Sequence, residues 1–259
     1  MIEGWGEPYQ SWMGLRCTEA KWVQAFIEEG SIKFGTPQKW VNEASENIGR
    51  GDPYEGLIAT APQNDTKRIY ELRKQHPGLI EDKHDGQIIL RSERSMKLPA
   101  YCYYCISNDF FKCPSEPGEH TVSGHIPAEY FKDFRDPDPA FVMFKLAEFH
   151  RRLINWLKNH GVSENAIMIR KIQYYEFEPG MWIEINEDQP MELFCKCSRF
   201  RVQNEGRIVI NTDDKDVLEL LSQPIKIGCL KDIAQGADHA VLEQKHGIDV
   251  SMQFRIEAR

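Results

Sequence analysis

Helical spacing of apolar residues marks several stretches of the chain. Thr18, Thr36 and Asp65 stand at N-cap positions before three of them, and Gly30 and Gly161 stand where helices commonly end. The pattern predicts helices over residues 19–30, 36–47, 66–76, 140–160, 213–222 and 230–245.

Short apolar and aromatic runs bounded by Gly, Pro, Asn or Asp indicate strands. They are SIKFG (31–35), LIAT (57–60), GQIILRS (86–92), LPAYCYYCIS (98–107), AIMIRKIQYYEF (166–177), MWIEI (181–185), MELFCKCSRF (191–200), RIVIN (207–211), PIKIGCL (224–230) and DVSMQFRI (249–256). The segment 108–125 is rich in Pro, Gly and Ser, which predicts a long loop.

The order of these elements indicates the fold class. The chain shows no regular alternation of strand and helix and no glycine-rich phosphate loop, which argues against a doubly wound nucleotide-binding fold. We therefore expect a single α+β domain over residues 1–259, helical in its first two-thirds and mainly antiparallel sheet in its last third. The stretch 134–140, FRDPDPA, is the candidate for a weak internal boundary.

Composition narrows the classes of function. The formal net charge of −8 over 259 residues disfavours broad binding to nucleic acid, and no apolar run has the length of a membrane span. The first residues lack the pattern of a secretory signal, and the cysteine count is odd, so we expect a cytoplasmic protein. The pairs Cys102/Cys105 and Cys195/Cys197 could form a zinc site, but buried structural cysteines fit their aromatic strand context better, so no metal is predicted.

Two short stretches combine charged side chains with a constrained backbone. Residues 50–56, RGDPYEG, form a turn that carries Asp52 and Glu55. In FRVQNEGRIVI, an extended backbone would put Gln203, Glu205 and Arg207 on one face, where the carboxylate is kept ionised by its neighbours. A simple ion pair between Glu205 and Arg207 is the alternative interpretation.

Five segments in fixed order resemble an uncharacterised prokaryotic family. They are GLRCT (14–18), IKFGTPQKW (32–40), GDPYEG (51–56), YCIS (104–107) and QNEGRI (203–208), and they match the family's signature F-x-x-P-x-x-F-N-D-P-F-E, C-x-S and E-x-E-W-R-I. Gly51, Gln203 and Gly206 depart from that signature, at its Asn, first Glu and Trp. The resemblance implies no function, because the family has none to transfer.

The same order of residues is similar to that of ADP-ribosyltransferases of the Arg-Ser-Glu type. The resemblance implies a split sheet around an NAD cleft, with Arg16 on the NAD phosphate, Ser107 at the nicotinamide ribose, and Glu205 and Gln203 as catalytic residues. Asp52, Glu55, Tyr104 and Arg207 complete the NAD site that it implies. Ser107 stands alone where that class has a Ser-Thr-Ser triplet.

From these resemblances we expect an NAD-using transferase or NAD glycohydrolase, of the kind found among toxins and antiviral effectors, with an unknown acceptor. Asp52 and Glu55 would either line the cleft beside Arg16 or orient that arginine, and we favour the second role. One alternative is a Mg²⁺-dependent nuclease or phosphoesterase that uses Asp52, Glu55 and the acids Glu184, Glu187, Asp188 and Glu192, with Lys196 beyond. The other is a non-catalytic module that senses a nucleotide or a protein.

Overall fold

The computed structural model describes residues 11–44, 51–107, 118–130, 138–183, 186, 188–237 and 247–256. The α-helices in these ranges are α1 (Ala20–Glu29), α2 (Pro37–Ala44), α3 (Thr66–Gln75), α4 (Leu146–Asn159) and α5 (Lys215–Ser222). The strands are β1 (Ser11–Glu19), β2 (Ser31–Ile32), β3 (Leu57–Pro62), β4 (Leu79–His84), β5 (Gln87–Ser92), β6 (Ala100–Ser107), β7 (Gly118–Ile126), β8 (Pro139–Lys145), β9 (Ile167–Lys171), β10 (Gln173–Tyr175), β11 (Cys195–Cys197), β12 (Glu205–Ile210), β13 (Ile225–Lys226), β14 (Ala234–Ala237) and β15 (Ile248–Ile256).

The chain combines helices with strands that pair mainly antiparallel, which confirms the α+β class. None of the described helices combines the length and the apolar character that crossing a lipid bilayer requires. The chain divides into two compact units. Unit 1 contains Met1–Ser31, Tyr103–Leu153 and Lys226–Arg259, and unit 2 contains Ile32–Cys102 and Ile154–Ile225.

In unit 1, an antiparallel sheet carries α1 on one face. β8 pairs along its whole length with residues 13–19 of β1. β1 also pairs with the second half of β6, and β14 pairs with β8. Phe26 of α1 stacks near Phe144 and Phe149, at centroid distances of 5.5 and 5.9 Å. β1 passes close to this cluster at Gly14, where an added Cβ would lie 2.5 Å from the Phe144 ring. The interior of unit 1 is therefore built from apolar and aromatic side chains.

In unit 2, the three-stranded sheet β3-β5-β4 is covered by α3. The Asp65 side chain accepts a hydrogen bond from the Arg68 backbone at 3.2 Å and begins the helix, as the sequence predicts. Asp85 and Gly86 both have positive φ (47° and 74°), which is the geometry of a two-residue hairpin turn between β4 and β5. Separately, β12 pairs antiparallel with β9, and β10 lies parallel to β11.

Several predicted elements are corrected by the structure. Thr18 lies within β1, and α1 begins after Glu19 without a side-chain cap. Residues 118–125 of the predicted loop belong to β7, because β15 supplies a pairing partner for all nine residues of that strand. Residues 234–237 form β14 instead of a helix, since they pair with β8.

Other differences concern lengths and boundaries. The segment 191–200 forms two 3₁₀ turns around the three-residue β11, so it is not one strand. α4 begins only after β8, at Leu146. The candidate boundary at 134–140 lies mostly outside the described residues. The breaks between the two units fall within β2, β6, α4 and β13.

Candidate functional site

Buried charged side chains concentrate in unit 2. We call six of them the ionic cluster: Asp52, Glu55, Arg91, Lys196, Glu205 and Arg207. Each is at most 6% exposed. Buried charges are costly unless they are paired and hydrogen-bonded, so each contact in this cluster matters for stability.

The turn Asp52–Gly56 supplies two of the carboxylates. The Tyr54 backbone N–H donates to Asp52 Oδ1 at 2.9 Å, and the Glu55 N–H donates to the Asp52 carbonyl at 3.0 Å. Gly56 closes the turn at φ 65°, a conformation that favours glycine. At Gly51, an added Cβ would lie 2.1 Å from the Ala44 Cα, so only glycine fits. The turn is a constrained structural element and not a solvated loop.

Arg91 holds the backbone of this turn from the end of β5. Its Nε donates to the Glu55 carbonyl at 2.9 Å, and its Nη2 donates to the Pro53 carbonyl. Its Nη1 donates to Asp82 Oδ2 at 3.1 Å. Arg91 thereby joins the β3-β5-β4 sheet to the turn that carries Asp52 and Glu55.

Arg207 lies at the centre of the cluster with 0% exposure. Its Nε and Nη2 contact Glu205 Oε1 at 2.8 and 2.7 Å, and its two Nη atoms also donate to the Glu55 carboxylate. Nη1 also donates to the Leu193 carbonyl. The five N–H donors of a guanidinium are therefore all engaged, while the Trp40 ring lies 5.0 Å from Cζ. The ion pair considered from the sequence is present, but it is buried rather than exposed.

Lys196 joins the two acceptors of the Gln-x-Glu pair. Its Nζ donates to Gln203 Oε1 at 2.7 Å and to Glu205 Oε2 at 3.1 Å, and it lies 4.9 Å from the Phe200 ring centroid. Gln203 ends a 3₁₀ helix and Glu205 begins β12, with Asn204 between them at positive φ (34°). This left-handed residue turns the chain so that both side chains reach one ammonium group.

The charged groups of the cluster shift one another's pKa values. Burial would raise the pKa of Glu205, but Arg207 and Lys196 outweigh it and lower that pKa to about 2. Burial would lower the pKa of Lys196, but Glu205, Glu55 and Asp52 raise it instead. Glu205 is therefore an anion and Lys196 a cation at neutral pH. Burial raises the pKa of Asp52 even though Lys196 opposes the rise.

Arg199 marks the solvent-facing side of the cluster. Its guanidinium lies 3.6 Å from Asp52 Oδ1 and stacks over the Phe200 and Tyr54 rings, at 4.7 and 5.5 Å from their centroids. The Arg199 side chain is 45% exposed, whereas that of Asp52 is 1% exposed. A half-exposed guanidinium between two aromatic rings is a suitable contact for an anionic or planar ligand group.

The structure brings five of the eight predicted site residues into one unit. Asp52, Glu55, Gln203, Glu205 and Arg207 all lie in unit 2. Asp52 contacts Arg199, and Glu55 contacts Arg207. The sequence interpretation had expected both carboxylates to orient Arg16 instead.

Arg16, Tyr104 and Ser107 lie in unit 1. Ser107 pairs with Ser11 of β1, five residues before Arg16, so the two positions are roughly 16 Å apart along the strand at about 3.3 Å per residue. The Tyr104 and Tyr130 ring centroids lie 4.5 Å apart with the rings tilted, and the Arg16 charge acts on that same Tyr130 hydroxyl. Within unit 1, Arg16 and Ser107 therefore occupy separate places on the sheet.

Sequence reasoning missed Arg91 and Arg199, and it gave Lys196 only a place in the metal-dependent alternative. The sequence does contain a signal for Arg91 and Lys196, which are charged residues inside otherwise apolar strand-like segments. Arg91 follows the apolar run IIL, and Lys196 stands between two cysteines in a segment with strand character. A charged residue within a buried strand indicates an opposite charge in the core, because an unpaired one would be too costly.

The acids of the metal-dependent alternative do not converge in the described part of the chain. No group of three His, Cys, Asp or Glu side chains there could hold a metal ion. Both oxygens of Glu55 contact Arg207, Asp188 is exposed, and Glu192 is buried beside Ser95. Glu184 and Glu187 lie outside the described residues.

No family model, curated protein or solved structure was found to match the chain. The candidate site therefore has to be interpreted from its own geometry.

Proposed function

We propose that the protein is an NAD-using enzyme, an ADP-ribosyltransferase or an NAD glycohydrolase, with Glu205 as its catalytic carboxylate. One observation carries the proposal: Lys196 holds the Gln203 amide and the Glu205 carboxylate side by side, at 2.7 and 3.1 Å. This is the pair that the resemblance to Arg-Ser-Glu transferases assigns to catalysis. Half-exposed Arg199, between two aromatic rings, supports a nucleotide as the ligand.

In the proposed reaction the bond between nicotinamide nitrogen and ribose C1′ breaks, and its electron pair leaves with nicotinamide. The ribose ring becomes an oxocarbenium-like cation. Glu205, kept anionic by a pKa of about 2, stabilises that positive charge and accepts a hydrogen bond from a ribose hydroxyl. Water or an acceptor side chain then attacks C1′ and loses a proton, and Gln203 orients this nucleophile.

The acceptor positions of Glu205 limit how the ribose can bind. A carboxylate offers about four positions. Arg207 uses two of them on Oε1, Lys196 uses one on Oε2, and the Cys102 thiol also donates to this carboxylate. A thiol is a weak donor, so a ribose hydroxyl would replace Cys102 and leave the two cations in place.

The same pairing favours a second candidate function, a module that senses a nucleotide without turning it over. A carboxylate that already neutralises Arg207 and Lys196 can serve structure alone, as expected for a non-catalytic domain. This candidate predicts binding of NAD with no release of nicotinamide.

Incubation of the pure protein with NAD, with and without cell lysate as a source of acceptors, tests both candidates. We expect nicotinamide release that falls by about 10²–10³-fold in Glu205→Gln, the loss typical of removing one charge-stabilising group. The matched control is Glu93→Gln, which removes a carboxylate from an exposed pair with Lys97 and should leave release unchanged.

Thermal unfolding of each variant separates loss of chemistry from loss of fold, and calorimetric titration with NAD separates binding from turnover. If the wild type binds NAD but releases no nicotinamide, the sensing module is favoured over the enzyme. If the wild type neither binds NAD nor releases nicotinamide, both candidate functions are wrong. If Glu205→Gln releases nicotinamide as fast as the wild type, Glu205 is not catalytic.

A further inference from the structure

Five buried side-chain polar atoms of unit 2 have no hydrogen-bond partner among the described residues, and two of them bear on ligand binding. One is Asp52 Oδ2, on a side chain that is 1% exposed, and the other is the Tyr175 hydroxyl. The other carboxylate oxygen, Asp52 Oδ1, accepts from the Tyr54 N–H at 2.9 Å and lies 3.6 Å from Arg199. Asp52 is therefore held firmly on one side and open to a donor on the other.

Tyr175 and Asp52 both contact Tyr54. The Tyr175 side chain packs against the apolar cluster of Tyr54, Leu57 and Ile89, whose first member is the residue that donates to Asp52. The Asp52 charge also acts on the Tyr175 hydroxyl: burial raises the pKa of Tyr175, and this charge adds to the rise. A carboxylate oxygen and a hydroxyl that both lack partners among the described residues thus flank Tyr54, whose ring centroid lies 4.5 Å from that of Phe177.

We infer that Asp52 and Tyr175 form a binding site for the primary amide group of a small neutral molecule. An amide NH₂ donates to Asp52 Oδ2, and the amide oxygen accepts from the Tyr175 hydroxyl. A cationic ligand is disfavoured because Lys196 and Arg199 already act on Asp52. A carboxylic acid is disfavoured because it would set a second anion against Asp52.

The inference goes beyond the proposed function, because it concerns Asp52 and Tyr175 rather than the Gln203 and Glu205 pair. It does not depend on turnover of NAD, and an aromatic amide such as nicotinamide is a suitable probe in either case. Glu205→Gln is therefore expected to keep amide binding even where it abolishes nicotinamide release.

Ligand-observed NMR titration of the full chain with nicotinamide and benzamide, against nicotinate and benzoate, tests the site. We expect both amides to bind at least about tenfold more tightly than the matching acids. Asp52→Asn and Tyr175→Phe are each expected to weaken amide binding by about tenfold, the usual effect of losing one charge-assisted or buried hydrogen bond.

Glu192→Gln is the matched control, because Glu192 is 2% exposed and one of its carboxylate oxygens also has no partner within the described ranges. It should leave amide binding unchanged. Tyr175→Phe removes one hydroxyl and keeps the ring, so it remains informative if Asp52→Asn fails to fold. Three results would overturn the inference: no binding of either amide, acids that bind as well as amides, or equal amide affinity in wild type and Tyr175→Phe.

Discussion

The interiors of the two units differ in kind. All buried polar or charged side chains found in the described part of the chain belong to unit 2: Asp52, Glu55, Thr60, Arg91, Ser95, Glu192, Lys196, Glu205 and Arg207. The interior of unit 1 over the same ranges is apolar and aromatic, with Leu15, Phe144 and Phe149 at 0% exposure. One half of the chain is stabilised by burial of apolar area, and the other also contains a network of paired charges.

The difference indicates where function lies. A buried ion network is weak evidence for stability, because apolar residues of similar volume often stabilise as well or better. Charged interiors with shifted pKa values are, in contrast, frequent at functional sites. Unit 2 therefore is the better place to look for chemistry, and unit 1 has the composition of a scaffold.

Replacing the central cation should give the largest effect. Arg207→Met leaves Glu55 and Glu205 without their shared partner in a buried site, and we expect the free energy of unfolding to fall by about 3–5 kcal/mol. Urea denaturation at pH 7 measures the change.

Exposed arginines of each unit serve as controls for this substitution. Arg73 pairs with Glu81 in unit 2, and Arg151 pairs with Glu148 in unit 1, with 51% and 61% of the arginine exposed. Their alanine variants should lose far less stability than Arg207→Met, because exposed ion pairs contribute little. A loss in Arg207→Met that is no larger than in these controls would contradict the structural importance of the buried network.

Leu153→Ala tests the apolar interior of unit 1. Leu153 is completely buried, so we expect a loss of about 3 kcal/mol from lost apolar burial and the cavity that remains. This loss should stay the same from pH 7 to pH 3, whereas the loss in Arg207→Met should shrink as Glu205, which has lost the charge that lowers its pKa, becomes protonated in the variant. Urea midpoints of both variants at pH 7 and pH 3 measure these losses. If the two losses depend on pH equally, the proposed difference between the interiors of the units is wrong.

Acid should weaken the two units in different pH windows. Burial lowers the pKa of His150 from 6.5 to about 4 in unit 1, where its Nε2 lies 2.9 Å from the Tyr103 hydroxyl. The folded state therefore binds protons less readily than the unfolded state, and this stability is lost as pH falls from about 6.5 to 4. The Glu205 pKa is lowered from 4.5 to about 2, so its contribution in unit 2 is lost as pH falls from about 4.5 to 2.

Each contribution is worth on the order of 2–3 kcal/mol at neutral pH. His150→Leu should flatten the curve of urea midpoint against pH only above about pH 4, and Glu205→Gln only below about pH 4.5. A curve in which either substitution flattens the other window would show that these two groups do not control acid stability.

Local patterns predicted much of the fold. The helix capped by Asp65 and strands β3, β5, β6 and β12 follow from apolar spacing and punctuation, since both act over a few residues. The hairpin partner β4 was missed, although Asp85-Gly86 between two runs is a strong hairpin signal. β7 and β14 were missed because their sequences are polar or glycine-containing, and pairing with β15 and β8 decides their conformation.

For the candidate site, the sequence supplied the residues but not their partners. Strand periodicity predicts Gln203, Glu205 and Arg207 on one face of an extended backbone, but Gln203 ends a 3₁₀ helix and Asn204 is left-handed. Contacts of Lys196 with Gln203 and Glu205, and of Arg207 with Glu205, bring these groups together instead. That Glu55 pairs with Arg207, 152 positions later in the chain, could not be read from either segment alone. Such a pairing depends on long-range packing, which no local pattern encodes.

The sequence by itself determined the α+β class, the turn at Asp52–Gly56 and the presence of charged residues in strands that are otherwise apolar. These features depend on backbone preferences and side-chain periodicity, which act between near neighbours. Only the tertiary structure decided that the turn is buried, that Arg91 and Arg207 hold it, and that one Asp52 oxygen has no partner in the part of the chain that the structure describes. The physical reason is that a charge enters a protein interior only where distant segments supply its partners.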